Sequence, residues 1–316
     1  MTFLEKVEEL KTIVYDALSP LIQGDYWVLD LPYYENIGDT LIWQGEMDFL
    51  KLFSYKCRGM YSLETFFFPK IPETDLILLQ GGGNFGDLWK RHHDFRLQVM
   101  QHYPKNKFLV FPQTVYFEDS DYLQSSIECF AQYDVVICAR DLVSYEFLCK
   151  HFRNKILLVP DMAFCIDARK WHRMIRKVTN STLLLKRSDK ELKISEELES
   201  IQHLPNVIVA DWPTMGAKNQ VEYFRRKVFR IAKKFVGMWL YDGYMNRIYR
   251  NYLIREGVHQ ISTFNKIYTT RLHACILSIL LNREDVVFFD NSYGKNKAFY
   301  ETWLKDCDNL TMIDSV

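Results

Sequence analysis

Residues 266–281 read KIYTTRLHACILSILL, a short strand-like run followed by a strongly apolar run of helical length. The strand is expected at 267–269 and the helix from Ala274, so Arg271 and His273 fall where the strand passes into the helix. The first turn of a helix offers unpaired N–H groups and a partial positive charge, to which a guanidinium and an imidazole are added here. We therefore predict an anion-binding junction with a proton-transfer group. The alternative is structural: Arg271 pairs with a carboxylate and His273 caps the helix.

The same succession of an apolar strand and a helix recurs along the 316 residues. Strands are expected at 25–31, 75–80, 107–111, 133–138, 156–159, 181–186, 206–210 and 285–289. This alternation is typical of parallel sheets, and the length suits two domains of about 150 residues each. We predict an N-terminal Rossmann-like domain at 1–167, a C-terminal one at 178–296, and a helix at 297–316 that packs back on the first domain. Two such domains facing each other leave a cleft between their strand ends.

The end of the first strand carries the segment NIGD, which begins at Asn36. The carboxyl ends of strands form the functional edge of an open α/β sheet. Asn36 and Gly38 permit a tight loop, and Asp39 or Thr40 serves as the N-cap of the next helix. A capping turn without a ligand is the alternative interpretation.

The second strand runs into three glycines, Gly81, Gly82 and Gly83, followed by Asn84. Glycines add nothing to packing, so we expect this loop to allow close approach of a ligand or of another backbone segment. Its glycines and its position directly after a strand resemble those of a phosphate-binding loop. Because it lacks the lysine of a P-loop and the spacing of a dinucleotide-binding fold, it does not indicate an NTPase or a dehydrogenase.

Two further strand ends offer polar side chains. Arg140 follows the strand at 133–138 and is a candidate ligand for an anion. Its structural alternative is a salt bridge with Asp141 or Glu146. The loop after the last strand offers three more side chains to a ligand: Asn291, Tyr293 and Lys295.

The composition argues against several classes of protein. Forty basic and forty acidic side chains cancel, so the chain is not a globally basic nucleic-acid binder. The seven cysteines are odd in number and form no C-x-x-C pair, which indicates neither a disulfide framework nor a zinc site. The first 18 residues read as an amphipathic helix rather than a signal peptide, and no apolar run is long enough to span a bilayer. We therefore expect a cytoplasmic protein that binds no metal.

Residues 218–256 depart from the overall charge balance, because they hold ten Lys or Arg against three acidic residues, a net charge of +7. Large apolar residues recur within them at helical spacing: Phe224, Val228, Ile231, Phe235 and Trp239. A basic amphipathic helix of this type is typical of one that lies on an anionic membrane surface. A domain helix with a solvated basic face is the alternative, and an acidic partner would also suit it.

Taken together, these motifs resemble the polysaccharide pyruvyl transferase family. They occur in the family's order over nearly the whole chain: Asn36 to Asp39, Gly81 to Asp87, Arg140, Pro160-Asp161, Arg271 to His273, and the loop from Asp290. The resemblance implies two Rossmann-like domains facing across a cleft, similar to GT-B glycosyltransferases. It also implies transfer of pyruvate from phosphoenolpyruvate to two sugar hydroxyls as a cyclic ketal, with release of phosphate and no cofactor.

The resemblance implies roles in donor binding and catalysis for Arg140, Arg271 and His273. The chemistry of the reaction predicts roles for the other strand-end residues, and the basic segment 218–256 has no general role in the family. Binding of phosphoenolpyruvate is assigned to Arg140, Arg271, Gly82, Gly83 and Asn84. Binding of the sugar acceptor is assigned to Asn36, Asn291, Tyr293 and Lys295. His273 is the expected general acid and Asp39 the expected base. The acceptor is expected to be a hexose such as galactose in a capsule or exopolysaccharide precursor, free or lipid-linked, and the segment 218–256 to contact the inner face of the cytoplasmic membrane.

Two other functions fit the same pattern. A GT-B glycosyltransferase with a nucleotide-sugar donor would use the same cleft and glycine segment. A membrane-associated scaffold, in which the strand-end polar residues only cap helices, is the non-enzymatic alternative. Phosphate release from phosphoenolpyruvate in the presence of a sugar acceptor distinguishes pyruvyl transfer from both.

Overall fold

The computed structural model describes residues 1–213, 224–225, 227–231 and 237–314, and the chain divides into two compact units. One unit, named here the seven-stranded unit after its sheet, comprises Leu10–Pro32 and Ile42–Cys165. The other, the five-stranded unit, comprises Met1–Glu9, Tyr33–Leu41 and Ile166–Val316. Both are α/β with parallel strands, as predicted. The domain limits at 167 and 178 stay predictions.

The seven-stranded unit is built on one parallel sheet. Its strands are β1 (Tyr26–Leu29), β2 (Cys57–Tyr61), β3 (Leu76–Leu79), β4 (Gly82–Gly86), β5 (Lys107–Tyr116), β6 (Val135–Ala139) and β7 (Lys155–Leu158). The spatial order is β2-β1-β3-β5-β6-β7, with β4 paired to β5. All of its paired strands run parallel. The carboxyl ends of these strands therefore lie along one edge of the sheet.

The five-stranded unit is built on a second parallel sheet. Its strands are β8 (Thr182–Leu185), β9 (Val207–Ala210), β10 (Lys266–Thr269), β11 (Asp285–Phe289) and β12 (Leu310–Ile313). The order β12-β11-β10-β8-β9 places β10 at the centre. The register pairs Thr269 of β10 with Leu185 of β8 and with Phe288 of β11. Residues that follow these three strands are thereby brought together.

Ten α-helices have both ends within the residues that the structure describes. They are α1 (Phe3–Leu18), α2 (Ile37–Leu50), α3 (Lys90–His102), α4 (Ser120–Phe130), α5 (Leu142–His151), α6 (Glu196–Gln202), α7 (Met238–Tyr244), α8 (Arg250–Ser262), α9 (Leu272–Leu280) and α10 (Lys295–Trp303). All nine residues of α9 are buried, which explains its largely apolar sequence. Near the C-terminus, Lys6 and the N-terminal amine of Met1 pair with Asp306 and Asp308 respectively.

The sequence located the buried strands well, because strands covered on both faces read as continuous apolar runs. In β3 every residue of LILL is buried. Three strands were missed: β2, β4 and β12. β2 is a half-exposed edge strand with no apolar run, and β4 is made largely of glycine. The expected loop after Gly81 was therefore wrong, since Gly82–Gly86 is a strand paired with β5.

The basic amphipathic segment is helical where it is described, at 224–225 and 227–231. A single helix from Phe224 through Trp239 was nevertheless a wrong prediction, because Gly237 has φ +107° and precedes α7 as a separate helix. Phe235, which the pattern also included, lies outside the described residues. Among the described residues, no helix is both long and apolar enough to cross a bilayer.

Candidate active site

The carboxyl edge of the five-stranded sheet collects charged and polar side chains from four strand ends. Arg187 follows β8, Asp211 follows β9, Arg271 follows β10 and Asn291 follows β11. All four residues are at least partly buried. Because parallel strands end at one edge, these side chains form a single cluster, and this is where open α/β sheets bind ligands.

Arg271 is held in this cluster by a carboxylate that the sequence did not assign a role. Its Nε and Nη2 donate to the two carboxylate oxygens of Asp211 at 2.5 and 2.7 Å. Asp211 is itself fixed by the backbone N–H and the hydroxyl of Ser188. Among the described residues, the guanidinium of Arg271 donates through Nε and Nη2, and Nη1 makes no hydrogen bond there. The bidentate pair therefore sets the plane of the guanidinium.

A second guanidinium lies beside the first. Arg187 donates to Asp189 through Nε at 2.7 Å and Nη2 at 3.1 Å, and Nη2 of Arg271 lies 3.5 Å from the same carboxylate. Burial opposes the charge of Arg187, but Asp189 and Glu191 outweigh it and raise its pKa. The two arginines thus share Asp189. The sequence did not predict Arg187 as a site residue, although its position directly after an apolar strand was a usable signal.

His273 lies in the first turn of α9 and contacts the NIGD segment. A Cβ atom built on Gly38 would lie 2.8 Å from His273 Nδ1 and 3.1 Å from its Cβ. Only glycine permits this approach of the imidazole to the start of α2. Two motifs separated by more than 230 residues are thereby joined within the five-stranded unit. The imidazole is 9% exposed.

Asp39 is not the cap of α2, as one alternative had it. Asn36 fulfils that role, because its Oδ1 accepts from the N–H of Gly38 at 2.9 Å and the helix begins at Ile37. The Asp39 carboxylate instead accepts from Asn36 Nδ2 at 2.8 Å and from the hydroxyl of Tyr34 at 2.9 Å. The N-cap prediction for Asp39 or Thr40 was therefore wrong. The role of Asp39 as a base stays a prediction.

The three residues predicted from the last loop converge on one carboxylate, Glu191. Its Oε2 accepts from four side chains: Lys295 at 2.7 Å, Arg187 at 2.8 Å, Tyr293 at 3.0 Å and Asn291 at 3.3 Å. Burial would raise the pKa of Glu191, but the charges of Lys295 and Arg187 more than offset it and hold that pKa well below its usual range. Glu191 is therefore an anion that organises the loop. It was missed because three of its four partners lie about 100 residues away in the sequence.

Arg140 occupies the corresponding strand-end position in the seven-stranded unit. Its Nη1 donates to Asp161 at 2.7 Å and its Nε to the hydroxyl of Thr114 at 2.9 Å. The salt-bridge alternative was right in kind but named the wrong partners. Asp141 instead caps α5 through the N–H of Ser144. Arg140 belongs to the seven-stranded unit and Arg271 to the other, and their joint binding of one anion stays a prediction.

The glycine run serves close packing of backbones, which was one of the two uses expected for it. A Cβ on Gly81 would lie 2.9 Å from the carbonyl oxygen of Pro112, and one on Gly86 would lie 1.8 Å from that of Tyr116. Gly82 pairs with Gln113 of β5. Asn84 is engaged by Arg96, which donates to its backbone and side-chain oxygens. Ligand binding by Gly82, Gly83 and Asn84 stays a prediction.

A buried acid supports the start of this glycine run. Glu46 of α2 has no exposed surface, and its Oε1 accepts from the N–H of Gly81 at 2.9 Å. Burial raises the pKa of Glu46 well above its usual range; the Gly81 N–H partly offsets this, and nearby Asp161 and Asp30 add to it. The second oxygen, Oε2, has no hydrogen-bond partner among the residues that the structure describes. The environment of this acid therefore favours the neutral form, in contrast to that of Glu191.

Comparison with known proteins connects this geometry to a family. The sequence profile described as "Polysaccharide pyruvyl transferase" matches residues 36–292, from the NIGD segment to the loop after β11. A Bacillus subtilis (strain 168) protein named "Putative pyruvyl transferase EpsO" is 30% identical over 304 residues, covering 93% of this chain and 88% of that protein. "Pyruvyl transferase 1" of Schizosaccharomyces pombe (strain 972 / ATCC 24843) is 26% identical, covering 92% of this chain and 73% of its own.

A solved structure shares the fold. It is the crystal structure of a functionally uncharacterized protein from Klebsiella pneumoniae subsp. pneumoniae NTUH-K2044, with a TM-score of 0.66 and 20% identity. The similarity covers 96% of this chain and 98% of that one. The profile match begins and ends on residues that the structure places at the strand-end edge of the five-stranded unit. The chain therefore belongs to the polysaccharide pyruvyl transferase family.

Proposed function

We propose that this enzyme transfers pyruvate from phosphoenolpyruvate to two hydroxyls of a hexose, such as galactose in a capsule or exopolysaccharide precursor. The products are a cyclic ketal and phosphate. The observation that carries the proposal is the strand-to-helix junction after β10, where Arg271 is oriented by Asp211 and His273 contacts the NIGD segment. Cation and imidazole thus lie at one strand-to-helix junction, next to the segment that carries Asp39.

The donor carries a carboxylate and a phosphate, so its binding requires more than one cation. Arg271 offers Nη1, and the first turn of α9 adds backbone N–H groups. Arg187 shares Asp189 with Arg271 and supplies a second guanidinium within the same unit. Arg140 is the proposed further ligand from the seven-stranded unit, in a cleft of the GT-B type.

The chemistry assigns one proton movement to each of two residues. His273 protonates the methylene carbon of the donor, which makes C2 electrophilic, and a sugar hydroxyl then attacks C2. Asp39 accepts the hydroxyl proton, and its position is fixed by Asn36 and Tyr34. Phosphate leaves and takes up the proton from Asp39; a second hydroxyl of the same sugar then attacks C2 and closes the ketal, and its proton restores His273. Lys295 and Tyr293, held by Glu191, are the proposed contacts to the acceptor.

The acceptor fits a location in the cytoplasm at the inner face of the cytoplasmic membrane, if it is a lipid-linked sugar. Such an acceptor is confined to the bilayer surface. An enzyme that binds the same surface would meet it at a higher local concentration. The basic segment 218–256 is the part of the sequence that suits this location.

The test measures phosphate release from phosphoenolpyruvate with galactoside acceptors. Two variants probe the junction: His273→Gln and Arg271→Lys. We expect His273→Gln to lower kcat by about 10²–10⁴-fold, the usual contribution of a general acid. Arg271→Lys should raise the KM for phosphoenolpyruvate about tenfold or more, because a lysine cannot reproduce the planar fork on Asp211.

Matched controls are available in the same unit. His203→Gln changes an exposed histidine, and Arg283→Lys changes an arginine that donates only to backbone carbonyls in the described structure. Both should leave kcat and KM unchanged. Absence of phosphate release with every acceptor, together with tight binding of UDP or GDP, would identify a nucleotide-sugar glycosyltransferase instead.

A further inference from the structure

A helical segment of the five-stranded unit exposes large apolar side chains to solvent. Phe224, Val228 and Ile231 are 65%, 44% and 50% exposed. Their spacing of four and three residues puts them on one side of a helix, within about 60° of each other. These three residues are named here the apolar face. Burial of apolar side chains is the main source of stability, so an exposed row of this kind indicates a binding surface.

The opposite side of the same segment is attached to the unit. Phe229 stacks on Tyr244 of α7, with ring centroids 4.2 Å apart and an angle of 6° between the planes. Tyr244 is buried. Because a helix turns 100° per residue, Phe229 points about 100–160° away from the apolar face. The stacking therefore fixes the segment with Phe224, Val228 and Ile231 directed outward.

Basic side chains border the apolar face. Arg225, Lys227 and Arg230 are exposed. Helical geometry places Arg225 about 60–120° and Lys227 about 40–100° from the three apolar residues, on opposite flanks, whereas Arg230 lies about 100–160° away, as far as Phe229. They belong to the stretch 218–256, whose sequence carries a net charge of +7. A face of this composition repels basic partners and attracts a surface of negative charge.

Two more large apolar side chains emerge shortly afterwards. Trp239 on α7 is 70% exposed, and Ile248 in the helical turn after α7 is 50% exposed, next to the exposed Arg247. Tryptophan is enriched at the boundary between lipid and water, because its ring is apolar and its N–H is polar. An exposed Trp and Phe accompanied by Arg and Lys are typical of helices that lie in a membrane interface.

We propose that the apolar face, with Trp239, docks this enzyme on an anionic lipid bilayer. Phe224, Val228 and Ile231 enter the boundary between headgroups and acyl chains, while Arg225 and Lys227 on the two flanks lie level with the headgroups. The positive charge of the stretch complements anionic lipid, which selects a bilayer over a second copy of this equally basic face. The inference deepens the proposed location at the membrane and is independent of the reaction catalysed.

The experiment is cosedimentation of the full-length chain with vesicles of phosphatidylcholine alone or mixed with phosphatidylglycerol. We expect binding only to the anionic vesicles, decreasing as salt is raised. Val228→Glu should abolish it. Lys227→Glu should weaken it about fivefold or more, since each basic residue near an anionic surface contributes about this factor. Trp239 fluorescence should shift to the blue on binding, and Trp239→Phe should remove that change.

Controls separate the docking face from general effects of charge or apolarity. Val143→Glu changes an exposed valine on α5, and Lys305→Glu changes an exposed lysine near the C-terminus. Both should bind vesicles as the unchanged chain does. Phosphate release with a soluble acceptor should be the same for Val228→Glu and the unchanged chain, so loss of docking and loss of catalysis are distinct results. Equal binding to neutral and anionic vesicles, or a dimer in light scattering that Val228→Glu dissociates, would overturn the proposal.

Discussion

Each sheet carries an Arg–Asp pair at its carboxyl edge, and the two pairs differ in their contact with solvent. The side chains of Arg140 and Asp161 in the seven-stranded unit are 2% and 1% exposed, whereas those of Arg271 and Asp211 are 7% and 11% exposed. Next to the Arg140–Asp161 pair, named here the sealed pair, Glu46 is fully buried, and burial raises its pKa well above its usual range. Next to the Arg271–Asp211 pair, named here the open pair, Glu191 is charged and bound by Lys295 and Arg187.

The difference shows that the role of an arginine after a strand cannot be inferred from its position alone. A sealed pair stabilises one arrangement of a core, while an open pair orients a guanidinium and leaves an edge of it for a ligand. The same fold supplies both positions. What distinguishes them is which strand end contributes the carboxylate, that of the adjacent β7 or that of β9 two strands away, and how much protein covers it.

The largest effect is expected from breaking the sealed pair. Arg140→Met leaves Asp161 buried without its cation, which should lower the free energy of unfolding by about 3–5 kcal/mol. Arg271→Met should cost less, because Asp211 retains Ser188 and reaches water. Denaturant unfolding of the two variants measures the contrast.

A double variant sharpens this result. Replacing Arg140 and Asp161 together by Met and Leu should restore most of the lost stability, because an apolar pair of similar volume needs no compensation. If the double variant is stable but no longer binds phosphoenolpyruvate, Arg140 is a donor ligand as well as a structural residue. Equal destabilisation by Arg140→Met and Arg271→Met would contradict the distinction between sealed and open pairs.

A change of pH is expected to alter stability by an intermediate amount, and in opposite directions in the two units. The pKa of Glu46 is raised in the folded chain, so its stabilising contribution is full below the ordinary pKa near 4.5 and is lost as pH rises through the folded value. The pKa of Glu191 is lowered, so its contribution is full above about 4.5 and is lost as pH falls. Each unit of pKa difference corresponds to about 1.4 kcal/mol.

Hydrogen exchange at a series of pH values separates the two units, because peptides from β3 and β5 report one sheet and peptides from β8 and β10 the other. Glu46→Gln should remove the loss of protection at high pH in the seven-stranded unit. Glu191→Gln should remove the acid-dependent loss in the five-stranded unit. Glu128→Gln, on the exposed side of α4, is the control. Identical pH profiles for both sheets would refute the opposite signs.

The smallest effect is expected from Tyr293→Phe. It removes one of the four donors to Glu191 Oε2 and should cost about 1 kcal/mol, since the other three remain. If Tyr293 also contacts the acceptor, the KM for the sugar should rise a few-fold while the KM for phosphoenolpyruvate stays constant. Tyr300→Phe on α10 is the matched control. A change in the donor KM alone would place Tyr293 on the donor side.

Much of the fold was predictable because buried positions are occupied by apolar residues, a pattern that can be recognised in the sequence. Strands such as LILL in β3 and DVVFF in β11 are covered on both faces and are therefore continuously apolar. The edge strand β2 and the glycine-rich strand β4 have no continuous apolar run. The backbones of β4 and β5 lie so close that a Cβ on Gly86, or on Gly81 just before β4, would meet β5. This close approach depends on the neighbouring strand, so the sequence of β4 alone does not reveal it.

The sequence by itself determined the α/β class, the family motifs, and the placement of Arg271, His273 and Asp39 at strand ends. These follow from local patterns, because a strand, a turn and a helix start are each written in adjacent residues. Only the tertiary structure decided that Asp211 orients Arg271, that Glu191 gathers the last loop, and that His273 meets Gly38. Those contacts join residues between about 60 and 235 positions apart, and their geometry is set by the register of parallel strands.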